Sequence, residues 1–467
     1  MTKRLFVCAL AVCLGGFGLF AQDAAPATAP AAQQPEAPSA DQPAAQPAAS
    51  QAGSSEDEFF GSADVEAKQG TAEKQNAADA VEKEHVGLSG QLQAMSTYNV
   101  SRKIAQGTGT LSDNTLSNII GGDFLVDIRL QKGFKAFLDL NLGFIPGGTP
   151  TVHTFATIPP TTALVVTENQ DTALLIKEVF VDFNIANTAY FRAGKQVLKW
   201  GTGYFWNPTD LINIEHRSFT NTSALLQGVF GLRSDVVFSS NWHLYTFLNL
   251  NGVQSDATDV AFAARSEFLV GSTEFAVSSW LKYGKPVVFG ADLSTPLFWS
   301  LNLTSEASFS WGDIQDKYDP ASGPYAVRDQ LVTKIDVGLS RSFDAFDIQN
   351  RVSVNLEFFY NNVGYSQNML QVHGFLPTYF QSGYYGQYYG AAFITISSFG
   401  LSNMTLTLSG LANLSDQSGT ALAGLSYAPV NNFTLSLQAG SYLGAASREY
   451  TVSNNQFFGI LGATVAF

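Results

Sequence analysis

Hydrophobic residues recur at every second position through most of this chain. In FWSLNLTSEASFSW, residues 298–311, apolar side chains alternate with Ser, Asn, Thr and Glu. Because successive side chains of a strand point to opposite faces, such a stretch predicts a ribbon with one apolar and one polar face. About 18 segments of this kind follow one another from residue 86 to the end, and most approach the 9–11 residues that a tilted strand needs to cross a bilayer.

The connections between these segments alternate in length. Short turns at 131–133, 186–188, 239–241 and 429–432 take turns with longer polar segments, at 99–120, 146–173, 200–227, 312–329, 362–387 and 444–455. Short turns at one rim and long loops at the other are typical of membrane barrels. We therefore predict an all-β fold, a single transmembrane antiparallel β-barrel of about 18 strands. The connection GKP at 284–286 is short although the alternation requires a long loop there, so the predicted strand number is 16–18. A secreted sandwich or solenoid would need a second domain or a fixed repeat, and neither is visible.

The N-terminal part differs from the rest in composition. Lys3 and Arg4 precede an apolar run at 5–20, which indicates a signal peptide over 1–22. Residues 23–85 are rich in Ala and Pro and then acidic, with about 12 acidic and 3 basic residues, and predict a disordered or partly helical periplasmic segment. The barrel domain is then 86–467. A net charge of −14 argues against nucleic acid as a partner.

The sequence contains few of the residue patterns that are typical of catalytic sites. Five histidines are scattered without the spacing of a zinc site, both cysteines lie in the signal peptide, and no nucleophile elbow or phosphate-binding glycine loop occurs. We expect no enzyme activity, no cofactor and no metal. A membrane-embedded lipid hydrolase that uses a Ser–His pair with His243 remains a less favoured alternative.

Two segments resemble known protein families. The chain ends in NNQFFGILGATVAF, which resembles the last strand of Gram-negative outer-membrane β-barrel proteins; this implies that the barrel-assembly machinery reads the terminal Phe467. The stretch FRAGKQVLKWGTGYFWNPTDLIN, 191–213, resembles a segment of porin-like barrels related to the alginate-export family. That resemblance covers about 25 residues and implies an 18-stranded porin whose third long loop forms the constriction.

Candidate pore residues follow from this loop and from strand parity. Arg192 and Gln196 share the predicted lumen face of their strand, whereas Lys195 and Lys199 fall on the lipid side unless a bulge turns them inward. The glycines and the Asn-Pro-Thr-Asp turn suit a sharp bend into the lumen. The predicted constriction residues are Arg192, Gln196, Asp210, Glu215, His216 and Arg217. The predicted lumen charges are Asp127, Arg129, Asp139, Glu178, Asp182, Glu306, Lys334, Asp336, Arg351 and Glu357.

The sequence therefore predicts an outer-membrane porin, a passive diffusion channel for small polar or charged solutes. Outer-membrane lipid, the assembly machinery and the solutes are the expected partners, and homo-oligomerisation stays open. The aromatic loop at 362–387 keeps two alternatives open, a substrate-specific transporter for hydrophobic or carbohydrate solutes and a surface adhesin.

Overall fold

A computed structural model describes most of the chain from residue 85 onward. The described ranges are 85–101, 104–106, 109–111, 114–130, 134–155, 164–186, 188–198, 200–210, 212, 228–251, 259–370, 382–452 and 455–467. The predicted signal peptide and all of the predicted periplasmic segment except its last residue lie outside these ranges. No helix in the described ranges has both the length and the apolar character needed to cross a membrane.

Eighteen antiparallel strands form one closed sheet, which confirms the predicted fold and strand number. Residues that alternate in polarity favour this arrangement because each strand presents one face to either side of the sheet. The barrel strands are β1 (His85–Ser101), β4 (Thr115–Arg129), β5 (Lys135–Phe155), β6 (Leu164–Ile185), β7 (Ala189–Gln196), β8 (Val229–Ser239), β9 (Trp242–Asn249), β10 (Ala261–Val270), β11 (Thr273–Lys282), β12 (Val288–Pro296), β13 (Leu301–Trp311), β16 (Leu331–Ala345), β17 (Ile348–Asn361), β18 (Tyr388–Ile396), β19 (Met404–Asn413), β20 (Ser418–Val430), β21 (Phe433–Leu443) and β22 (Asn455–Ala466).

Two small hairpins lie outside the barrel sheet. They are β2 (Ile104–Gln106) with β3 (Gly109–Leu111), and β14 (Lys317–Asp319) with β15 (Gly323–Tyr325). Both belong to connections at the rim that carries the longer segments. Short connections such as 346–347 and 431–432 lie at the opposite rim, together with the start of β1 and the end of β22. The predicted alternation of turn lengths holds except at 283–287 and 414–417, two brief connections at the rim of the longer segments.

The barrel closes where the last strand meets the first. β1 pairs with β22 on one side and with β4 on the other, so no edge of the sheet is left open. At the end of this seam Gly90 and Phe467 exchange two backbone hydrogen bonds, of 3.0 and 2.9 Å. The Phe467 ring also lies 6.0 Å from the ring of Phe124, measured between centroids.

Apolar side chains cover the outside of the barrel, and polar ones face inward. Leu174 is 67% exposed and Leu461 is 60% exposed, whereas lumen residues such as Glu306 and Asp336 are at most 1% exposed. A continuous exposed apolar surface is unfavourable in water and suits a hydrocarbon environment. The fold is thus that of a barrel whose outer face contacts lipid and whose inner face is hydrated or hydrogen-bonded.

One irregularity in the wall changes which side chains face the lumen. Asp139 of β5 pairs with Glu178 of β6, but the next residue, Leu140, pairs with Ile176, so Lys177 is an extra residue in its strand. Such a bulge breaks the strict alternation of faces. The Lys177 Nζ reaches into the lumen, 3.3 Å from Asp139 Oδ2 and 3.5 Å from Asp123 Oδ1.

Candidate functional site

The chain leaves the barrel wall at the end of β7 and folds into the lumen. Residues 200–210, here called the lumen turn, contain no regular strand or helix. Gly201 has a φ of 104°, a backbone conformation that side chains other than glycine adopt only with strain. The Asp210 N–H donates to the Asn207 carbonyl at 3.0 Å, which closes the turn around Pro208.

A carboxylate on β13 holds the beginning and the end of the lumen turn. Oε1 of Glu306 accepts hydrogen bonds from the backbone N–H groups of Thr202 and Gly203, the latter at 2.6 Å. Oε2 accepts the hydroxyl of Thr209 at 2.9 Å and its N–H at 3.4 Å. Backbone N–H groups need partners once they leave water, and a carboxylate supplies strong ones. Glu306 therefore fastens both ends of the turn to one point of the wall.

A second carboxylate, on β17, holds the middle of the same turn. Oε1 of Glu357 accepts the N–H of Trp206 at 2.8 Å and that of Phe205 at 3.0 Å. Its Oε2 accepts the N–H of Tyr204 at 3.1 Å and again that of Phe205, at 2.9 Å. Three consecutive N–H groups thus converge on one side chain. This concave backbone arrangement is the anion-binding geometry often called a nest, here occupied by the protein's own carboxylate.

Asp336 lies directly beneath the turn, on β16, which is the strand between β13 with Glu306 and β17 with Glu357. A Cβ added to Gly203 would come within 2.9 Å of Asp336 Oδ2, so the glycine permits this close approach. The three carboxylates do not constitute a metal centre. Within the described ranges, no group of three or more His, Cys, Asp or Glu side chains is arranged to hold a metal ion.

Apolar side chains anchor the lumen turn at two places. Leu198, Trp200 and Ile212 are buried in a cluster with Phe247 of β9 and Ala263 of β10. Burial of such side chains contributes about 1.5–3 kcal/mol each. This cluster fixes the beginning and the end of the turn together.

The middle of the turn, which is its tip, is anchored by Trp206. Its ring stacks on Phe359 of β17 with a centroid distance of 5.6 Å, and the cluster includes Tyr384 and Tyr389. Its Nε1–H donates to the Gly383 carbonyl at 2.8 Å. The lumen turn therefore runs along the inner wall from β9 and β10 to β17 and β18.

The wall outside the turn carries charges of both signs in pairs. Arg192 donates two hydrogen bonds to Asp182, of 2.7 and 3.0 Å, and its guanidinium lies 3.7 Å from the centroid of the Phe180 ring. On β10, Arg265 pairs with Asp292 of β12 and lies 3.4 Å from Glu267. The described lumen wall is therefore a mixed electrostatic surface rather than one of a single sign.

The predicted constriction residues fall into three groups. Arg192 and Gln196 lie on the lumen side of β7, and Gln196 is buried, with its Nε2 donating to the Arg192 carbonyl at 3.3 Å. Asp210 lies in the lumen turn and accepts the Ile212 N–H at 3.2 Å. Glu215, His216 and Arg217 lie outside the described residues.

Several predicted lumen charges have structural partners of their own. Glu178 accepts the Val197 N–H at 2.6 Å, at the point where the chain leaves the wall. Arg351 donates to the carbonyls of Ser397 and Ser398 at 3.2 and 2.9 Å. The remaining predicted charges form ion pairs: Arg129 and Lys135 with Asp127, Lys177 with Asp139, and Lys334 with Asp313.

Asp313, the partner of the predicted lumen residue Lys334, lies in the connection between β13 and β14. Burial alone would raise the pKa of its carboxyl, but the ammonium groups of Lys334 and Lys317 outweigh burial and hold this pKa below its ordinary value. Both lysines lie 3.4 Å from the carboxylate. The resulting ion pairs connect β14 to β16 at the long-loop rim.

The two lysines that follow Arg192 were predicted to face lipid or to be turned inward by a bulge. Lys195 faces outward, and its Nζ donates to the Ile176 carbonyl at 2.7 Å. Lys199 lies outside the described residues. The bulge occurs instead at Lys177, a residue that strict parity assigns to the lipid side. Sequence reasoning also missed Arg265 and Asp292, which pair with each other from β10 to β12, and Glu449, which lies in a connection without a periodic pattern.

Comparisons with known proteins concern the fold. No family model matches the chain, and no curated protein matches its sequence. The solved structure of OccAB1 from Acinetobacter baumannii aligns with a TM-score of 0.49 and 13% identity over 81% of this chain and 96% of that one. OccK11 (OpdR) from Pseudomonas aeruginosa aligns with a TM-score of 0.49 and 11% identity over 83% and 98%. OprD from Pseudomonas aeruginosa aligns with a TM-score of 0.48 and 9% identity over 81% and 95%.

Proposed function

We propose that this protein is a channel of the Gram-negative outer membrane through which small polar or charged solutes diffuse passively. The lumen turn forms its constriction. A closed barrel with an apolar outer face and a polar inner face supports passage of hydrated solutes across a lipid layer. Selection then follows from the width of the opening and from the charges along it. No bond is made or broken, so no catalytic group or cofactor is required.

The observation that carries this proposal is the double clamp on the lumen turn. Glu306 and Glu357 accept eight hydrogen bonds from the turn, which are donated by six backbone N–H groups and the Thr209 hydroxyl. A surface loop would satisfy its N–H groups with water. Here they are satisfied by carboxylates of the inner wall, so the turn is a fixed part of the lumen. A fixed obstacle inside a polar barrel defines a pore of constant width.

Targeting and assembly belong to the same proposal. The signal peptide at 1–22 would direct export, the segment 23–85 would lie in the periplasm, and Phe467 would be read by the barrel-assembly machinery. The chain would contact outer-membrane lipid through its apolar outer face, and self-association into oligomers is compatible with this placement. The resemblance of residues 191–213 to alginate-export-type porins supports an export or uptake channel of that kind.

Tyrosines in the described part of the aromatic loop at 362–387, and Tyr389 at the start of β18, contact neighbouring segments. The hydroxyl of Tyr384 accepts the Asn207 N–H at 3.0 Å, and that of Tyr385 accepts the Met369 N–H. Tyr389 accepts the Gly386 N–H at 2.6 Å. These tyrosines are engaged in holding loops together.

Single-channel recording of the mature full-length protein in planar bilayers tests the proposal. We expect stepwise openings, with larger and noisier steps after Glu306→Gln or Glu357→Gln. Each amide can accept with only one of its two polar atoms, so some N–H groups of the turn lose their partner, at about 1–3 kcal/mol each. Asp347→Asn, at the short-turn rim outside the lumen, serves as the control and should leave the steps unchanged. A folded barrel without openings in any form would contradict the channel function.

A further inference from the structure

The last long connection of the barrel folds toward the lumen and buries an acidic side chain. This terminal loop, residues 444–452, carries Glu449, which is 4% exposed. Its Oε1 accepts the Gly383 N–H at 2.6 Å. Its Oε2 accepts the Tyr389 hydroxyl at 2.8 Å and the Asn413 Nδ2–H at 2.6 Å. One carboxylate therefore joins the terminal loop to the loop before β18, to β18 itself and to the end of β19.

Gly383 connects this carboxylate to the constriction. While its N–H donates to Glu449, its carbonyl accepts the Nε1–H of Trp206 at 2.8 Å. Tyr389 forms a second connection, because its hydroxyl donates to Glu449 and its ring lies 5.6 Å from the Trp206 ring. The tip of the lumen turn and the terminal loop are thus linked through a single intervening residue along two separate routes.

Further hydrogen bonds hold the terminal loop in place around Glu449. The Glu449 N–H donates to Asp416 Oδ2 at 2.8 Å. The Arg448 guanidinium donates to the carbonyls of Asp416 and Gln417 in the turn between β19 and β20. The Ser447 carbonyl accepts the Asn368 side-chain N–H at 2.9 Å. Release of the Glu449 side chain would leave the loop attached at its base but free at the lumen.

We propose that Glu449 is a positioning residue of the pore, which holds Trp206 against the barrel wall and couples the terminal loop to the width of the constriction. The role of Glu449 rests on the channel function proposed above. When the carboxylate releases Gly383 and Tyr389, the Trp206 anchor loses its hydrogen-bonded support and the tip of the lumen turn becomes mobile. Glu306 and Glu357 then still bind the backbone of the turn, but Trp200 is the aromatic side chain that still keeps it fixed to the wall.

The same geometry makes the coupling sensitive to pH. Burial raises the pKa of the Glu449 carboxyl from its ordinary 4.5 to about 7; the hydrogen bonds from Gly383, Asn413 and Tyr389 lower it, and the Asp416 charge raises it further. The titratable and charged groups that face Glu449 are Tyr385, Tyr389, Asp416, Arg448 and Tyr450.

The direction of the effect follows from linkage. The held carboxyl binds its proton more tightly than a released, hydrated one, so the held state is most stable below about pH 4.5. Its stability decreases as the pH rises through about 7. With a pKa of about 7 in the held state and 4.5 in the released state, the ratio of released to held loop should increase about tenfold between pH 6 and pH 8. Rising pH should therefore widen or destabilise the constriction.

The test is single-channel recording of the mature full-length protein between pH 6 and pH 8.5. The wild-type channel should show more frequent current fluctuations or larger steps as the pH rises, with a midpoint near 7. Glu449→Gln is neutral at every pH and should therefore give a flat profile. Glu449→Ala should fluctuate at every pH. Asp316→Asn, an exposed acid at the same rim, is the matched control and should keep the wild-type profile.

The outcomes separate this role from the channel function. Openings with the same pH profile in wild type and Glu449→Gln would refute the positioning role and leave the channel intact. A flat wild-type profile would refute it without any variant, which guards against a substitution that merely impairs folding. Silence of every form, despite heat-modifiable folded barrels on gels, would refute the channel and the positioning role together.

Discussion

Gly201 shows how one residue without a side chain can fix the path of a loop inside a barrel. Its φ of 104° turns the chain from the wall into the lumen. An added Cβ would lie 2.4 Å from Glu306 Oε1 and 2.6 Å from Oε2, closer than non-bonded atoms approach. The residue therefore satisfies two separate demands, a left-handed backbone and space for the carboxylate that holds the turn.

Gly201→Ala should displace the Glu306 carboxylate and loosen the lumen turn. We expect larger or noisier current steps in planar bilayers, because the added methyl group and the hydrogen bonds of Glu306 cannot occupy the same space. Gly271→Ala is a matched control, since Gly271 also has a positive φ, of 66°, but has no atom within 4 Å of an added Cβ. The control should cost only the backbone strain, about 1–2 kcal/mol. Equal effects of both variants on conductance would argue against the steric explanation.

Parity along single strands identified Glu306, Asp336 and Glu357 as lumen residues, and the structure places all three there. Their partners could not be derived in the same way. The N–H groups that reach Glu357 come from residues 151 to 153 positions earlier in the chain. Alternation determines the face on which a side chain lies, but contacts across the lumen depend on the path of a loop that has no periodic pattern.

At the level of single elements, the bulge in β6 changes the charge of the lumen wall. Glu178 and Lys177 are adjacent in sequence, yet the register shift between β5 and β6 lets both side chains face inward. Lys177 then forms ion pairs with two lumen carboxylates, Asp123 of β4 and Asp139 of β5. A lone lysine in an alternating segment carries no signal of this kind, because bulges arise from pairing between strands.

Lys177→Gln should make the channel more selective for cations. Removal of the ammonium leaves Asp123 and Asp139 without their shared positive partner, so the negative potential of the lumen wall increases. The reversal potential under a salt gradient measures this change. Lys195→Gln removes the same charge from the outer face and should shift the reversal potential much less. A shift of similar size in both variants would point to a general charge effect.

Across the whole molecule, closure of the sheet depends on its two ends. β1 and β22 pair over residues 91–101 and 455–466, and the last residue adds two hydrogen bonds with Gly90. A sheet of eighteen strands that stayed open would expose two long edges to other chains. The period-two pattern therefore requires the termini to meet, and the aromatic end of the chain completes the seam.

Deletion of Phe467 should reduce the yield of folded barrel. The seam loses two backbone hydrogen bonds, each with a net contribution of about 0.5–1.5 kcal/mol, and the packing of the Phe467 ring near Phe124. Heat-modifiable mobility of the protein in outer-membrane fractions is the measurement. Phe467→Tyr retains the backbone bonds and an aromatic ring, and should assemble normally. Undiminished assembly of the deletion variant would show that the terminal residue contributes little to closure.

The alternation of polar and apolar residues, together with the lengths of the connections, was sufficient to predict a closed barrel of about 18 strands and the face of most strand residues. This was possible because strand geometry imposes its period on the local sequence. The double clamp, the inward lysine at position 177 and the link from Glu449 through Gly383 to Trp206 could not be predicted. They bring together residues that are distant in sequence, and they depend on loop paths and strand register, which arise only when the whole barrel closes.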